Sequence, residues 1–99
     1  MTIAQVLARD LDLSIALAPQ QKSLFLNRLE QGSQKTDFCW LWRGGTVGED
    51  GYGSILGMRV HRVSYAIHYG QIPRGMMVCH HCDVPACWRP EHLFCGTAA

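Results

Sequence analysis

The apolar positions of the first third of the chain recur at helical spacing. Thr2 and Gln5 have the spacing of a capping box, which predicts a short helix over residues 3–9. A second helix is predicted over residues 19–30. Pro19 suits its first turn, and Gly32 lies just beyond its last periodic position.

After a polar connector at residues 32–37, the pattern changes to short apolar runs separated by glycines. We predict strands over residues 39–42, 52–56, 58–60, 76–80 and 92–95, with a glycine-rich loop over 44–45 and 48–53 and a helix over 61–69. The predicted fold is therefore α+β. We expect an N-terminal helical segment over residues 1–34, followed by a small module over residues 35–99.

The composition describes a single small globular domain. The chain has 99 residues, of which 47% are hydrophobic and 17% are charged. No apolar run is long enough to cross a bilayer, and the charged N-terminus does not resemble a secretory signal, so we expect a cytoplasmic protein with no membrane contact. The net charge of +1 neither favours nor excludes a nucleic-acid partner.

Cysteines and histidines concentrate in the last third of the chain. Cys82, Cys87 and His92 lie five residues apart on a loop broken by prolines, which lets them fold back toward one point. Thiolates and imidazoles are the preferred ligands of structural zinc, and a reducing compartment favours metal over disulfides. Cys39 is the candidate fourth ligand. The alternatives are a Cys79–Cys82 knuckle, or buried thiols without metal; otherwise Cys79 and Cys95 are expected to be buried thiols that bind no metal.

An ordered series of short motifs runs through this region. They are Cys39-Trp-Leu-Trp-Arg-Gly, Gly51-Tyr-Gly, His61-Arg-Val-Ser-Tyr, Gly70-Gln-Ile-Pro, His80-His-Cys-Asp, Pro85-Ala-Cys, Arg89-Pro-Glu-His-Leu and Gly96-Thr. Over about residues 25–97 the chain resembles the HNH endonucleases of phages and mobile elements, which are related to the His-Cys box homing endonucleases. The resemblance implies a zinc-stapled ββα-metal module (a His-Me finger) and an intracellular phage or bacterial protein.

The resemblance also implies a role for each matching residue. Cys39, Cys82, Cys87 and His92 correspond to the structural zinc ligands. His80 corresponds to the general base, although a fifth zinc ligand or a packed histidine are alternatives for it. His61 and Arg62 correspond to a His-Arg pair, with Arg62 a candidate for contacting phosphate. The implied activity is a metal-dependent endonuclease that uses Mg²⁺ or Mn²⁺ on double-stranded DNA.

The family pattern continues past Gly96-Thr97 with a helix that carries an Asn or His ligand for the catalytic ion. That helix is missing from this sequence, so we expect a truncated nuclease, or a naturally short relative, that is weakly active or inactive. The alternative functions are a non-catalytic zinc-dependent DNA-binding module and a zinc-stabilised interaction domain. A homodimer is compatible with either. Trp88, on the predicted metal loop, is the aromatic candidate for contacting DNA.

Overall fold

The computed structural model describes Leu13 and residues 16–47, 51–56 and 58–97. The first helix, α1 (Pro19–Gln31), confirms the predicted second helix. The side chain of Gln21 accepts the backbone N–H of Ala18 at 2.8 Å and so satisfies a donor at the start of the helix. The helix predicted over residues 3–9 lies outside the described residues.

A short hairpin follows α1. Strand β1 (Ser33–Lys35) pairs antiparallel with β2 (Trp40–Trp42). Between them the Thr36 hydroxyl accepts the N–H of Cys39 at 2.9 Å and donates to its carbonyl at 2.8 Å. The prediction of a connector over residues 32–37 was therefore wrong at β1. Its three polar residues pair through the backbone, which leaves no mark on hydrophobic periodicity.

A three-stranded antiparallel sheet comes next, formed by β3 (Thr46–Val47), β4 (Tyr52–Ile55) and β5 (Met58–Arg59). The β4–β5 hairpin confirms the prediction for this segment. Strand β3 lies between the two glycine-rich stretches predicted as a loop and was not predicted, because two backbone-paired residues are too few to show an alternating pattern. Val60, predicted as the end of a strand, instead begins the second helix, α2 (Val60–Tyr69).

The last hairpin pairs β6 (Met77–His80) with β7 (Leu93–Gly96), and His80 lies opposite Leu93. Both predicted strands are confirmed within a residue. Pro90–His92 form a short 3-10 turn that leads into β7. Helix α2 packs against both β4 and this hairpin, so it joins the two sheets. The α+β class predicted from sequence is confirmed, and no helix within the described ranges could span a bilayer.

One hydrophobic core joins α1 to the rest of the molecule. Its fully buried members among the described residues are Phe25, Leu29, Val60, Val63, Ala66, Ile72 and Trp88. The indole N–H of Trp88 donates to the Ser33 hydroxyl at 2.8 Å. The expectation that Trp88 contacts DNA was therefore wrong: the large ring contributes more when buried, and its single polar atom has a partner inside the protein.

Trp42 occupies a tight glycine cage formed by Gly32, Gly44 and Gly53. A Cβ atom added at any of the three would lie 2.3–2.6 Å from the indole ring, which is closer than real contacts allow. The indole N–H donates to the carbonyl of Gly45 at 3.0 Å. These glycines are needed for close approach to the ring, which fixes where β2 lies between α1 and β4.

Candidate metal centre and adjoining histidine cavity

Strand β2 pairs through its backbone with the loop that carries Cys82 and Cys87, here called the metal loop. Two hydrogen bonds of 2.9 and 3.0 Å join β2 to residues 86–88, and they set Leu41 opposite Cys87 in an isolated antiparallel bridge. Cys39 lies immediately before β2 and is therefore brought to the loop that carries Cys82 and Cys87. This pairing explains how a thiol more than forty positions upstream joins the cluster.

The four predicted ligands converge. One donor atom from each of Cys39, Cys82, Cys87 and His92 lies within 4.8 Å of all the others. His92 Nδ1 is 3.7 Å from the sulfur of Cys39 and 3.4 Å from that of Cys87. With zinc–sulfur and zinc–nitrogen bonds of about 2.3 and 2.0 Å, a tetrahedral site separates S and N by about 3.5 Å. The Cys₃His cluster thus matches the composition and spacing of a structural zinc site.

The electrostatics of the cluster also suit a cation. Burial raises the pKa of the Cys39 thiol to about 12, and the neighbouring Cys87 and Cys82 sulfurs add to the rise. Burial likewise raises the pKa of Cys82. Three thiols crowded in a buried place cannot ionise together unless a positive charge compensates them. The donor set therefore fits zinc, which binds thiolates and one neutral imidazole.

Cys79 and Cys95 lie outside the cluster, on β6 and β7. The alternative Cys79–Cys82 knuckle is therefore not supported. Both thiols were expected to be buried, and this was wrong: each is only half-buried. The β6–β7 hairpin is covered by α2 on one face and open on the other, so its strand residues are less enclosed than those of a central strand.

His80 is held by the metal loop but does not belong to the cluster. Its Nε2 lies 2.9 Å from the carbonyl oxygen of Cys87. A carbonyl oxygen can only accept, so Nε2 carries the proton, and Nδ1 of the neutral ring keeps its lone pair. Burial lowers the pKa of His80, which favours this neutral form. Neighbouring His81 is exposed and stacks on Phe94, with ring centroids 4.3 Å apart.

An open cavity of about 350 Å³ lies beside His80. Tyr52 and Asp83 contribute to its wall, and Asp83 is the one carboxylate among the described lining residues. Asp83 has a φ of 57°, a left-handed conformation that Asp tolerates better than most residues. Neither residue was singled out from the sequence as part of the site. The Cys-Asp step of the His80-His-Cys-Asp motif was the available signal for Asp83.

His61 lies behind His80, away from solvent. Its side chain is 5% exposed, and its ring centroid is 4.8 Å from that of His80 and 5.2 Å from that of Tyr52. Its Nε2 donates to the carbonyl of Val78 at 3.0 Å. Burial, reinforced by the nearby His80, lowers the pKa of His61 to about 4, so the ring is neutral at pH 7.

Two arginines flank the histidines. Arg62, predicted from sequence, is half-buried and donates to the carbonyl of Met76 at 3.3 Å. Arg59 is exposed, with its guanidinium 4.8 Å from the centre of the Tyr52 ring. The sequence did not single out Arg59 as a site residue, because its position depends on the register of the β4–β5 hairpin. That register pairs Arg59 with Ser54, next to the Ile55–Met58 pair that closes the turn.

Comparison with known proteins identifies the class of this site. Residues 58–99 match the family described as HNH endonuclease, and this part of the chain is an HNH endonuclease domain, as the motifs indicated. Cys39 lies outside the matched residues, so the fourth ligand of the cluster comes from the preceding segment.

Two curated relatives come from Escherichia phage T7. Protein 2.8 is 37% identical over 70 residues, which cover 70% of this chain and 50% of the relative. Protein 7.7 is 43% identical over 63 residues, which cover 60% of this chain and 48% of the relative. The chain therefore spans about half the length of each of these relatives. No solved structure gives a significant match.

Proposed function

We propose that this protein is a divalent-metal-dependent DNA endonuclease in which His80 is the general base. The observation that carries the proposal is the hydrogen bond from His80 Nε2 to the Cys87 carbonyl, on the wall of an open cavity and within an HNH endonuclease domain. The bond presets the tautomer and aims the ring. An unprotonated Nδ1 on a ring that is neutral at pH 7 is the chemistry that a general base requires.

In the proposed reaction, Nδ1 of His80 takes a proton from a water molecule as its oxygen attacks phosphorus. The new P–O bond forms as the bond to the 3′ oxygen breaks, and the departing oxygen gains a proton from solvent. The bond to Cys87 steadies the ring while it becomes positively charged, because a backbone carbonyl stabilises an imidazolium donor. His80 then returns its proton to solvent.

The phosphate needs positive charge beside His80. Arg62 and Arg59 are the candidates, since a guanidinium is always charged and can bind two phosphate oxygens. Mg²⁺ or Mn²⁺, when bound, would supply Lewis-acid stabilisation of the charge that develops on the phosphate and the leaving oxygen. Asp83, a hard oxygen donor on the cavity wall, is the described residue that would hold such an ion.

His61 supports His80 from behind in this proposal. Its low exposure keeps it from reaching substrate, whereas its bond to Val78 and its contact with the His80 ring limit movement of the base. Zinc would be held by Cys39, Cys82, Cys87 and His92, and its role would be structural. Cys87 would bind it through sulfur while its carbonyl orients His80, so the metal loop and the base form one rigid unit.

The test is cleavage of supercoiled plasmid with Mg²⁺ or Mn²⁺, comparing wild type with His80→Ala and His81→Ala. The two histidines are adjacent, but only His80 faces the cavity, so His81→Ala is the matched control. We expect His80→Ala to reduce the rate by about 10²–10⁴-fold, the usual contribution of a general base. His81→Ala should stay within a few-fold of wild type. Equal loss in both variants would contradict the assignment.

A wild-type protein that binds DNA but does not cut it would instead support the second candidate, a zinc-dependent DNA-binding module. The Cys₃His cluster, together with Arg59 over the Tyr52 ring, is compatible with binding alone. Retention on duplex DNA that weakens with salt would identify it, because phosphate contacts release counterions. No binding and no cleavage would contradict both candidates.

A further inference from the structure

A second cleft opens at the far end of the β4 strand, beside Ser54 and Ile55, and shares no described lining residue with the His80 cavity. It has a volume of about 460 Å³ and lies between the end of α1, the segment after β2, and β4. Arg28 and Arg43 line it, together with Ser33, Ser54 and the glycines beside Trp42. Neither the proposed chemistry nor the metal cluster uses this cleft.

The charged side chains among the described lining residues of the cleft are all positive. Both arginines are exposed, and no acidic side chain is among the described lining residues. The ion pairs recorded in the described part of the chain, Lys35 with Glu30 and Arg89 with Glu91, involve neither of them. Arg43 donates one bond to the Gln34 side chain at 2.9 Å, which leaves most of its five donors available. A pair of guanidinium groups with no acidic partner among the described residues, set in a polar concavity, favours phosphate oxygens.

Strand β4 runs from the His80 cavity to the cleft. Side chains alternate along a strand, and Tyr52 and Ser54 share the half-buried outer face while Gly53 and Ile55 are buried. Tyr52 borders the His80 cavity and Ser54 borders the cleft, about 7 Å apart at the rise of a β-strand. Phosphates of one DNA strand advance about 3.4 Å along the helix axis per nucleotide. The two walls are therefore close enough for phosphates within a few nucleotides of each other on one strand to reach both cavities.

We infer that the Arg28–Arg43 cleft is a second DNA-backbone site, which binds a phosphate a few nucleotides from the one beside His80. This inference rests on the proposed function, because it requires that DNA is the substrate. It assigns the cleft to positioning the duplex and not to the chemical step. Two anchored phosphates would fix the direction of the strand across β4, which a single phosphate beside His80 cannot do.

The test measures binding of a fluorescein-labelled duplex by anisotropy over a range of salt concentrations, without added Mg²⁺ or Mn²⁺ so that the probe stays intact. Arg28→Gln/Arg43→Gln is compared with Lys22→Gln/Arg74→Gln, which removes the same formal charge at residues that line neither the cleft nor the His80 cavity. We expect the cleft variant to bind about tenfold more weakly than wild type. The slope of log K against log salt should fall in magnitude by about 1.8, at about 0.9 per lost contact.

Each outcome decides the inference. The control variant should keep both the affinity and the slope close to wild type, and circular dichroism and zinc content should show that both variants are folded. If wild type binds DNA and the cleft variant matches the control, the inference is overturned while the proposed function stands. If wild type shows no salt-dependent binding to DNA, the proposed function fails and the inference fails with it.

Discussion

The glycine cage around Trp42 predicts that two adjacent glycines differ sharply in their tolerance of a methyl group. A Cβ at Gly44 would lie 2.3, 2.6 and 2.9 Å from three atoms of the indole ring, whereas a Cβ at Gly45 would meet no atom within 4 Å. Neither glycine has a φ in the left-handed region, so backbone strain does not separate them. The contrast between Gly44→Ala and Gly45→Ala therefore isolates steric overlap.

The indole has little room to move away from a new methyl at Gly44, because Gly32 and Gly53 also lie against the ring: a Cβ atom added at either glycine would approach the ring to 2.6 Å. Forcing extra volume into a packed site costs about 1–3 kcal/mol. Displacing the ring also weakens its bond to the Gly45 carbonyl, worth about 1 kcal/mol. Alanine at position 44 also reduces the conformational entropy of the unfolded chain, which offsets about 0.4–1 kcal/mol of this loss. We expect a net loss of about 2 kcal/mol.

Thermal unfolding of the zinc-loaded protein, followed by circular dichroism, checks this prediction. A loss of about 2 kcal/mol lowers the melting temperature of a chain of this size by about 8–16 °C. Gly45→Ala should remain within about 0.5 kcal/mol of wild type or be slightly stabilised. Adding Trp42→Phe, which opens space in the cage, should make Gly44→Ala less costly than it is beside tryptophan. If Gly44→Ala and Gly45→Ala have the same melting temperature, the reasoning from steric overlap is refuted.

Three further predictions concern the metal centre, pH and the buried core. Cys39→Ser should reduce bound zinc well below one per chain and destabilise the fold, whereas Cys79→Ser should retain the metal; equal zinc in both, by elemental analysis, would exclude Cys39 as a ligand. The pKa of His61 is lowered from 6.5 to about 4 in the folded state. Between pH 4 and pH 6.5 the unfolded chain therefore holds a proton on this ring that the folded protein lacks. Stability should therefore fall as the pH drops from about 6.5 to 4, by up to about 3 kcal/mol. His61→Phe should show a smaller fall in urea unfolding across this range, and an unchanged fall would argue against the shift. Ser64→Ala removes a 2.6 Å bond from a buried hydroxyl to the carbonyl of Trp88, so we expect a loss of about 1–3 kcal/mol; unfolding indistinguishable from wild type would mean that water replaces the bond.

Prediction from sequence succeeded where a signal is local and chemically specific. Cys82, Cys87 and His92 lie close together in the chain on a proline-broken loop, and their side chains are metal donors, so their convergence could be expected. The helix at α1 and the β6–β7 strands carry clear periodicity and end signals. Cys39 was identified by its type and context, although the backbone pairing that delivers it to the loop could not be foreseen.

The misses have a common physical cause, which is that they depend on contacts between distant segments. Strands β1 and β3 are two or three residues long, and their pairing is invisible to any periodicity. Trp88 looked accessible because polar residues surround it in the chain, yet the fold encloses it completely. Arg59 reaches the ring of Tyr52 only through the register of a hairpin. Tertiary register decides such features, and a single sequence does not record it.

The position of Cys39 has a practical consequence for dissecting the molecule. A fragment cut at the start of the family match, Met58, would keep His80 and three donors but would lack the sulfur that closes the tetrahedron. A three-donor site leaves a coordination position open to water, as catalytic zinc sites do, and it would grip its ion less firmly. The smallest autonomous unit should therefore begin upstream of β1, where the hairpin that presents Cys39 is intact.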